Sequence, residues 1–177
     1  MSSQPADAPP ASVESIVNAI AGVLRSSPAL TQGDVSALRR ADPRQPDAAF
    51  FKVEGLVLDA HLPGEAAARA DLETRWAAII SGLAHLGDLH RPEQRLGFAL
   101  AEAQFSELRF ARLVRADAER LFDELPMLAR FLAAKGVPVD WAAAARLILS
   151  AGRGDEEPVR RHLARDYYGA LARQENA

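Results

Sequence analysis

The stretch F-S-E-L-R-F-A-R-L-V-R-A-D, Phe105 to Asp117, decides how this chain is read. At about 100° per residue, Phe110, Leu113 and Val114 fall within one arc of a helix that buries that side. Arg109, Arg112 and Arg115 recur every third residue and form a slanted stripe along the flank of the arc. Ser106 is the expected N-cap, and Glu107 stands in the positive first turn. Three guanidiniums on one ridge, with Asp117 and Glu119 only beyond its end, can follow a line of phosphates. The same spacing also suits a solvated face whose arginines pair with Glu102, Glu107 or Glu119. On periodicity alone the solvated, ion-paired face is the favoured reading.

Working outward, the rest of the chain keeps helical spacing. Residues 1–12 are rich in Pro, Ala and Ser, without periodicity, and are expected to be a disordered tail. Val13, Ile16, Val17, Ile20, Val23 and Leu24 give a first helix that stops near Ser26-Ser27-Pro28. Asp34 is the expected cap of a short helix ending at Asp42-Pro43, and Ala48 to Asp59 reads as a third helix loosened by Gly55. Glu65 to Leu86 is the strongest pattern of the first half, with Leu72, Trp76, Ile79, Ile80 and Leu83 on its core face. Gly87 to Gln94 is a polar loop, and the boundary between an N-terminal half, 13–90, and a C-terminal half, 91–177, is drawn there.

In the second half, Leu96 to Ala103 forms a short helix before the arginine ridge. Ala118 to Lys135 follows with Leu121, Leu125, Leu128 and Leu132 on one face, and Pro126 either kinks it or divides it. Asp140 should cap a helix that buries Trp141, Ala145 and Ile148. Asp155 to about Ala172 closes the chain, with Val159, Leu163, Tyr167 and Leu171 inward and Tyr168 more exposed. No stretch alternates at period two. The expected fold is all-α: two small packed helical bundles of about eight to nine helices.

Composition narrows the function. A chain of 177 residues with 49% hydrophobic content can bury a real core. It has no cysteine, so disulfides and thiolate metal sites are excluded. No apolar run approaches the roughly 20 residues of a membrane span, and no signal peptide opens the chain, so a cytoplasmic protein is expected. The net charge of −3 is spread evenly, which leaves nucleic-acid binding only to a local patch.

Catalytic and metal signatures are missing. The carboxylate-bridged bundle site needs Glu-x-x-His pairs on two helices, and none is present. His61 and His90 lie in expected loops, His85 ends a helix, and His162 lies on an arginine-rich one; their spacing does not build a zinc site. Gly152-Arg153-Gly154 lacks the glycine and lysine of a phosphate loop. No enzyme and no cofactor are expected. Arg39 and Arg40 close a short helix, where cations offset the C-terminal dipole, a structural role as plausible as a binding one.

Several motifs in order carry a more specific signal. They are L-G-x-A-L (Leu96, Gly97, Ala99, Leu100), S-E-x-R-x-x-R-L-V-R-A-D from Ser106, V-P-V-D-W (Val137 to Trp141), and V-R-R-H-L-A-R-D-Y-Y (Val159 to Tyr168). With A-L-R-R-A-D-P (Ala37 to Pro43), Phe50-Phe51 and the E-x-R-W of Glu73 to Trp76, the chain resembles the CasB family over roughly residues 13–172. That family is the small subunit of the type I-E CRISPR surveillance complex, Cascade. The resemblance implies two helical bundles, no catalysis, and a pair of copies beside the backbone and large subunits. It also implies contact with guide RNA and target DNA, where basic residues stabilise the R-loop. Carried over by position, those residues are Arg39, Arg40, Arg109, Arg112 and Arg115. Two departures stand out: Phe98 fills a slot that is often basic in the family, with Arg95 the nearest cation, and the sequence pI of about 5.8 is acidic. A helical protein–protein scaffold without nucleic-acid contact is the alternative.

Overall fold

The structure is a computed structural model that describes residues 11–176. The expected tail therefore lies, for residues 1–10, outside the described residues. Ser12 belongs to the first helix as its N-cap, its side chain accepting from the Ser15 N–H at 3.2 Å.

Nine α-helices follow among the described residues: α1 (Val13–Ser26), α2 (Gln32–Arg40), α3 (Ala48–Val53), α4 (Ala66–Leu86), α5 (Leu96–Glu102), α6 (Glu107–Arg115), α7 (Ala118–Lys135), α8 (Ala142–Ser150) and α9 (Glu156–Glu175). There is no β-strand among the described residues, only one isolated parallel bridge between His90 and Val139. The fold is all-α, as the periodicity predicts.

Local chemistry explains most helix ends and corrects several expectations. Asp34 is not the cap of α2. Thr31 is, and Asp34 returns the favour three residues on, accepting from the Thr31 N–H at 2.8 Å in a capping box. Asp140 caps α8 from one residue further out than expected: its carboxylate accepts from the Ala142 N–H at 3.0 Å. The helix expected over 48–59 changes winding at Glu54, where five residues, Glu54–Leu58, form a π-helical turn around Gly55. α7 runs unbroken through Pro126. The proline removes one backbone donor, but Leu121, Leu125, Leu128 and Leu132 are all buried on either side of it and hold the two segments in line.

α4 is the central helix of one side of the fold. It touches α1, α2, α7 and α8. Every residue from Arg75 to Ala84 is buried, so it has no solvent face over that span, in contrast to the one-sided stripe expected. Small residues, Ala77, Ala78, Ser81, Gly82 and Ala84, let its neighbours approach from all sides. Arg75 is admitted to this interior because α8 ends against it. Its guanidinium donates to the carbonyls of Ile148 and Ala151 and pairs with Asp71. Trp141 packs its ring on Gly82, and its indole N–H donates to the Ile79 carbonyl at 3.1 Å.

The 87–95 segment, expected as a polar loop, is tied down. The Arg91 N–H donates to the Val139 carbonyl, and the Val139 N–H donates to that of Leu89. His90 is buried there, 2% exposed. Its Nδ1 accepts from the Trp141 N–H at 3.2 Å, which leaves Nε2–H to donate to Asn18 Oδ1 at 2.8 Å. Burial holds its pKa below the ordinary value, and both ring nitrogens are committed to hydrogen bonds within the fold.

Candidate nucleic-acid interface

α6 carries the arginine ridge, and α9 fixes which way it faces. Phe110 stacks on Tyr167 with ring centroids 3.9 Å apart and planes 11° apart, and Leu113 is buried beside them. The Tyr167 hydroxyl donates to the Phe105 carbonyl just before the helix. With that arc fixed inward, Arg109, Arg112 and Arg115 are all exposed.

None of the three makes an ion pair among the described residues. Glu119, one of the carboxylates expected to neutralise them, is turned to Arg44 instead. Arg44 Nε donates to its Oε1 at 2.6 Å, while the two Nη groups reach the Asp123 carboxylate at 2.9 and 3.1 Å. The Arg44 guanidinium holds the Asp123 carboxyl below the usual carboxylate range. One loop arginine thus occupies two acids of α7. Arg109 is held by aromatic rings: its Cζ lies 4.5 Å from the Phe105 centroid and 5.3 Å from that of Phe131. A guanidinium on a ring face keeps its N–H edge free for an oxygen acceptor.

The other two candidates sit at the end of α2. Arg39, in the last turn of α2, turns its Nε to a neighbouring helix: it donates to the Ala84 carbonyl at 2.7 Å, near the C-terminal end of α4. Arg40 is exposed and makes no ion pair among the described residues. A groove of about 490 Å³ opens beside them, lined among others by Arg40, His85, Met127 and Arg130. Met127 and Arg130 also line the next depression, of about 380 Å³, together with Phe131 and Ala134. Phe131 is the ring against which Arg109 rests. The two arginine groups are thereby joined across the exposed face of α7.

Arg130 is the residue the sequence reading missed, with Lys135 behind it, its Nζ 6.0 Å from the Phe131 centroid. The signal was present. Met127, Arg130 and Ala134 share the side of α7 opposite the leucine stripe, but a helix read for its core face says nothing of what the other face adjoins.

Around Phe98 the departure is partly offset. The guanidiniums of Arg95 and Arg173 lie over its ring, at 5.6 and 4.8 Å. Arg95 is committed, however, to Asp166 at 3.1 Å. No cluster of metal-ligating side chains occurs among the described residues, and no helix among them is long and apolar enough to cross a membrane.

The family model described as CRISPR-associated protein Cse2 (CRISPR_cse2) matches residues 34–168. The chain belongs to the Cse2 family. This is the CasB family, the small, structural subunit of type I-E Cascade. The match begins within α2 and ends in α9, so α1 lies outside it, while every arginine of the candidate interface lies inside. No curated protein and no solved structure matches the chain.

Proposed function

We propose that this Cse2-family subunit grips a sugar–phosphate backbone without reading bases and thereby stabilises the Cascade R-loop. It does so as a non-catalytic protein of the cytoplasm, as one of two copies set against the backbone and large subunits, guide RNA and target DNA. Pairing with the guide supplies sequence specificity, so the small subunit needs only cations along a path. The observation that carries this reading is the ridge of Arg109, Arg112 and Arg115, exposed and without a carboxylate partner among the described residues. Arg40 and Arg130 extend the path, and Arg39 ties the end of α2 to α4. An acidic chain can serve because two copies and the surrounding complex add avidity.

The test is Arg109→Ala, Arg112→Ala and Arg115→Ala together in reconstituted Cascade. R-loop affinity should fall for every target sequence. The slope of log affinity against log salt should flatten by about 2–3 per copy, at ~0.9 per phosphate released. An unchanged slope overturns the reading. Assembly that fails, while the intact complexes still formed bind DNA normally, would favour the scaffold instead.

Arg44 offers a second check, because its proposed part is indirect. Arg44→Ala frees Glu119 and Asp123, the latter in the groove of Arg40 and Arg130, and binding should weaken by about three-fold at low salt. Adding Glu119→Gln and Asp123→Asn to Arg44→Ala should restore most of the loss in a titration with labelled DNA.

A further inference from the structure

The face of α7 that joins the two arginine groups is not simply cationic. Met127 stands at its centre, 49% exposed, and Phe131 lies one turn on, half-buried. The Phe131 ring is held edge-to-face by Phe105, with centroids 5.3 Å apart, and is flanked by Arg109 and Lys135. Arg130 lines the depression with them. We propose that this depression is a seat for an unpaired nucleobase, so that the α7 face takes single-stranded nucleic acid in preference to duplex.

The chemistry of the patch separates these two ligands. A duplex presents phosphates outward and keeps its bases stacked inside, so it would press charge and water against the exposed thioether and ring. A single strand offers both phosphates and flat apolar base faces, and interleaved cations and apolar side chains match both at once. Methionine is a suitable floor, since its flexible, polarisable side chain adapts to any base and makes favourable contacts with aromatic faces. Such a seat is sequence-tolerant, as an R-loop subunit requires. The depression, at about 380 Å³, is roomy enough for one base. Charge complementarity points to a polyanion: Arg130 lines the patch, Arg109 rests on its Phe131 ring and Arg40 lines the adjoining groove, all three without ion-pair partners among the described residues, and Arg44 occupies Glu119 and Asp123.

This inference rests on the backbone-binding reading, and its test keeps the two apart. Full-length chain at low ionic strength is titrated with three labelled probes of equal length: oligothymidylate, the same strand with abasic spacers, and a duplex. Met127→Ala should weaken oligothymidylate binding about five-fold, and Met127→Trp should strengthen it by a similar factor. Neither should alter binding of the abasic strand or the duplex. Both substitutions are at an exposed position, so the fold tolerates them, which circular dichroism checks. If the triple arginine variant binds all three probes as the wild type does, the underlying reading fails. If that variant is weakened but the Met127 variants shift all probes alike, or none, the seat is overturned. Met127 variants that bind every probe normally but no longer assemble into Cascade would mark the patch as a protein contact and overturn it equally.

Discussion

Trp141→Ala should lower the stability of the fold by about 3–5 kcal/mol, the range for removing a large aromatic side chain from a core. The indole is completely buried. A Cβ added at Gly82 would stand 2.4 Å from its ring, so helix and ring are in closer contact than any other residue would allow. The site cannot collapse, because α4 is already hemmed in by α1, α2 and α7, and the cavity will persist. The residue also holds the 87–95 segment, through its backbone N–H on His90 Nδ1. Urea denaturation should show a lower midpoint with an unchanged slope. Gly82→Ala alone should also destabilise by overpacking, and the double variant should lose less than the sum, since the small side chain at 141 makes room for the new methyl. A loss under about 1 kcal/mol for Trp141→Ala would show that this contact does not anchor α4.

Gly97→Ala should destabilise the fold less, by a different route. An added Cβ would meet Asp166 Cβ at 2.6 Å, the Tyr167 backbone nitrogen at 2.7 Å and the Leu163 carbonyl oxygen at 2.9 Å. Two of these neighbours are backbone and cannot swing aside, so α5 must move off α9 at a cost of about 1–3 kcal/mol. Tyr167 is both the residue crowded by that movement and the platform on which Phe110 orients α6. The substitution is therefore expected to weaken nucleic-acid binding although it touches no arginine. Thermal unfolding and a DNA titration on the same preparation test this together. A destabilised variant that binds normally would separate the ridge from the α5–α9 contact.

Gly97 also shows where sequence reasoning reaches. The glycine of L-G-x-A-L was legible as part of a pattern, but its reason, a backbone crossing, belongs to two segments far apart in the chain. The outer helices α1, α6, α7 and α9 have one buried arc each, and arcs are what periodicity reports. α4 differs because alanines and glycine fill the sides away from Trp76 and Ile79, and small residues read as neutral until the neighbours are known. The arginine ridge was visible in the same way. Its electrostatic state was not, since that depends on Arg44 reaching acids in α7 from a loop between α2 and α3. The bridging place of Arg130 depends likewise on tertiary packing.

The enclosure of α4 bears on how chains of this kind can change length. One residue inserted between Arg75 and Ala84 would rotate everything after it by about 100° about the axis. A surface helix hides such a slip by trading one solvent-facing residue for another. Here each rotated side chain would land in a site shaped for a different one. Additions and deletions should accordingly be tolerated before Glu65 or within exposed turns such as Gly152 to Gly154, and be rejected along the middle of this central rod.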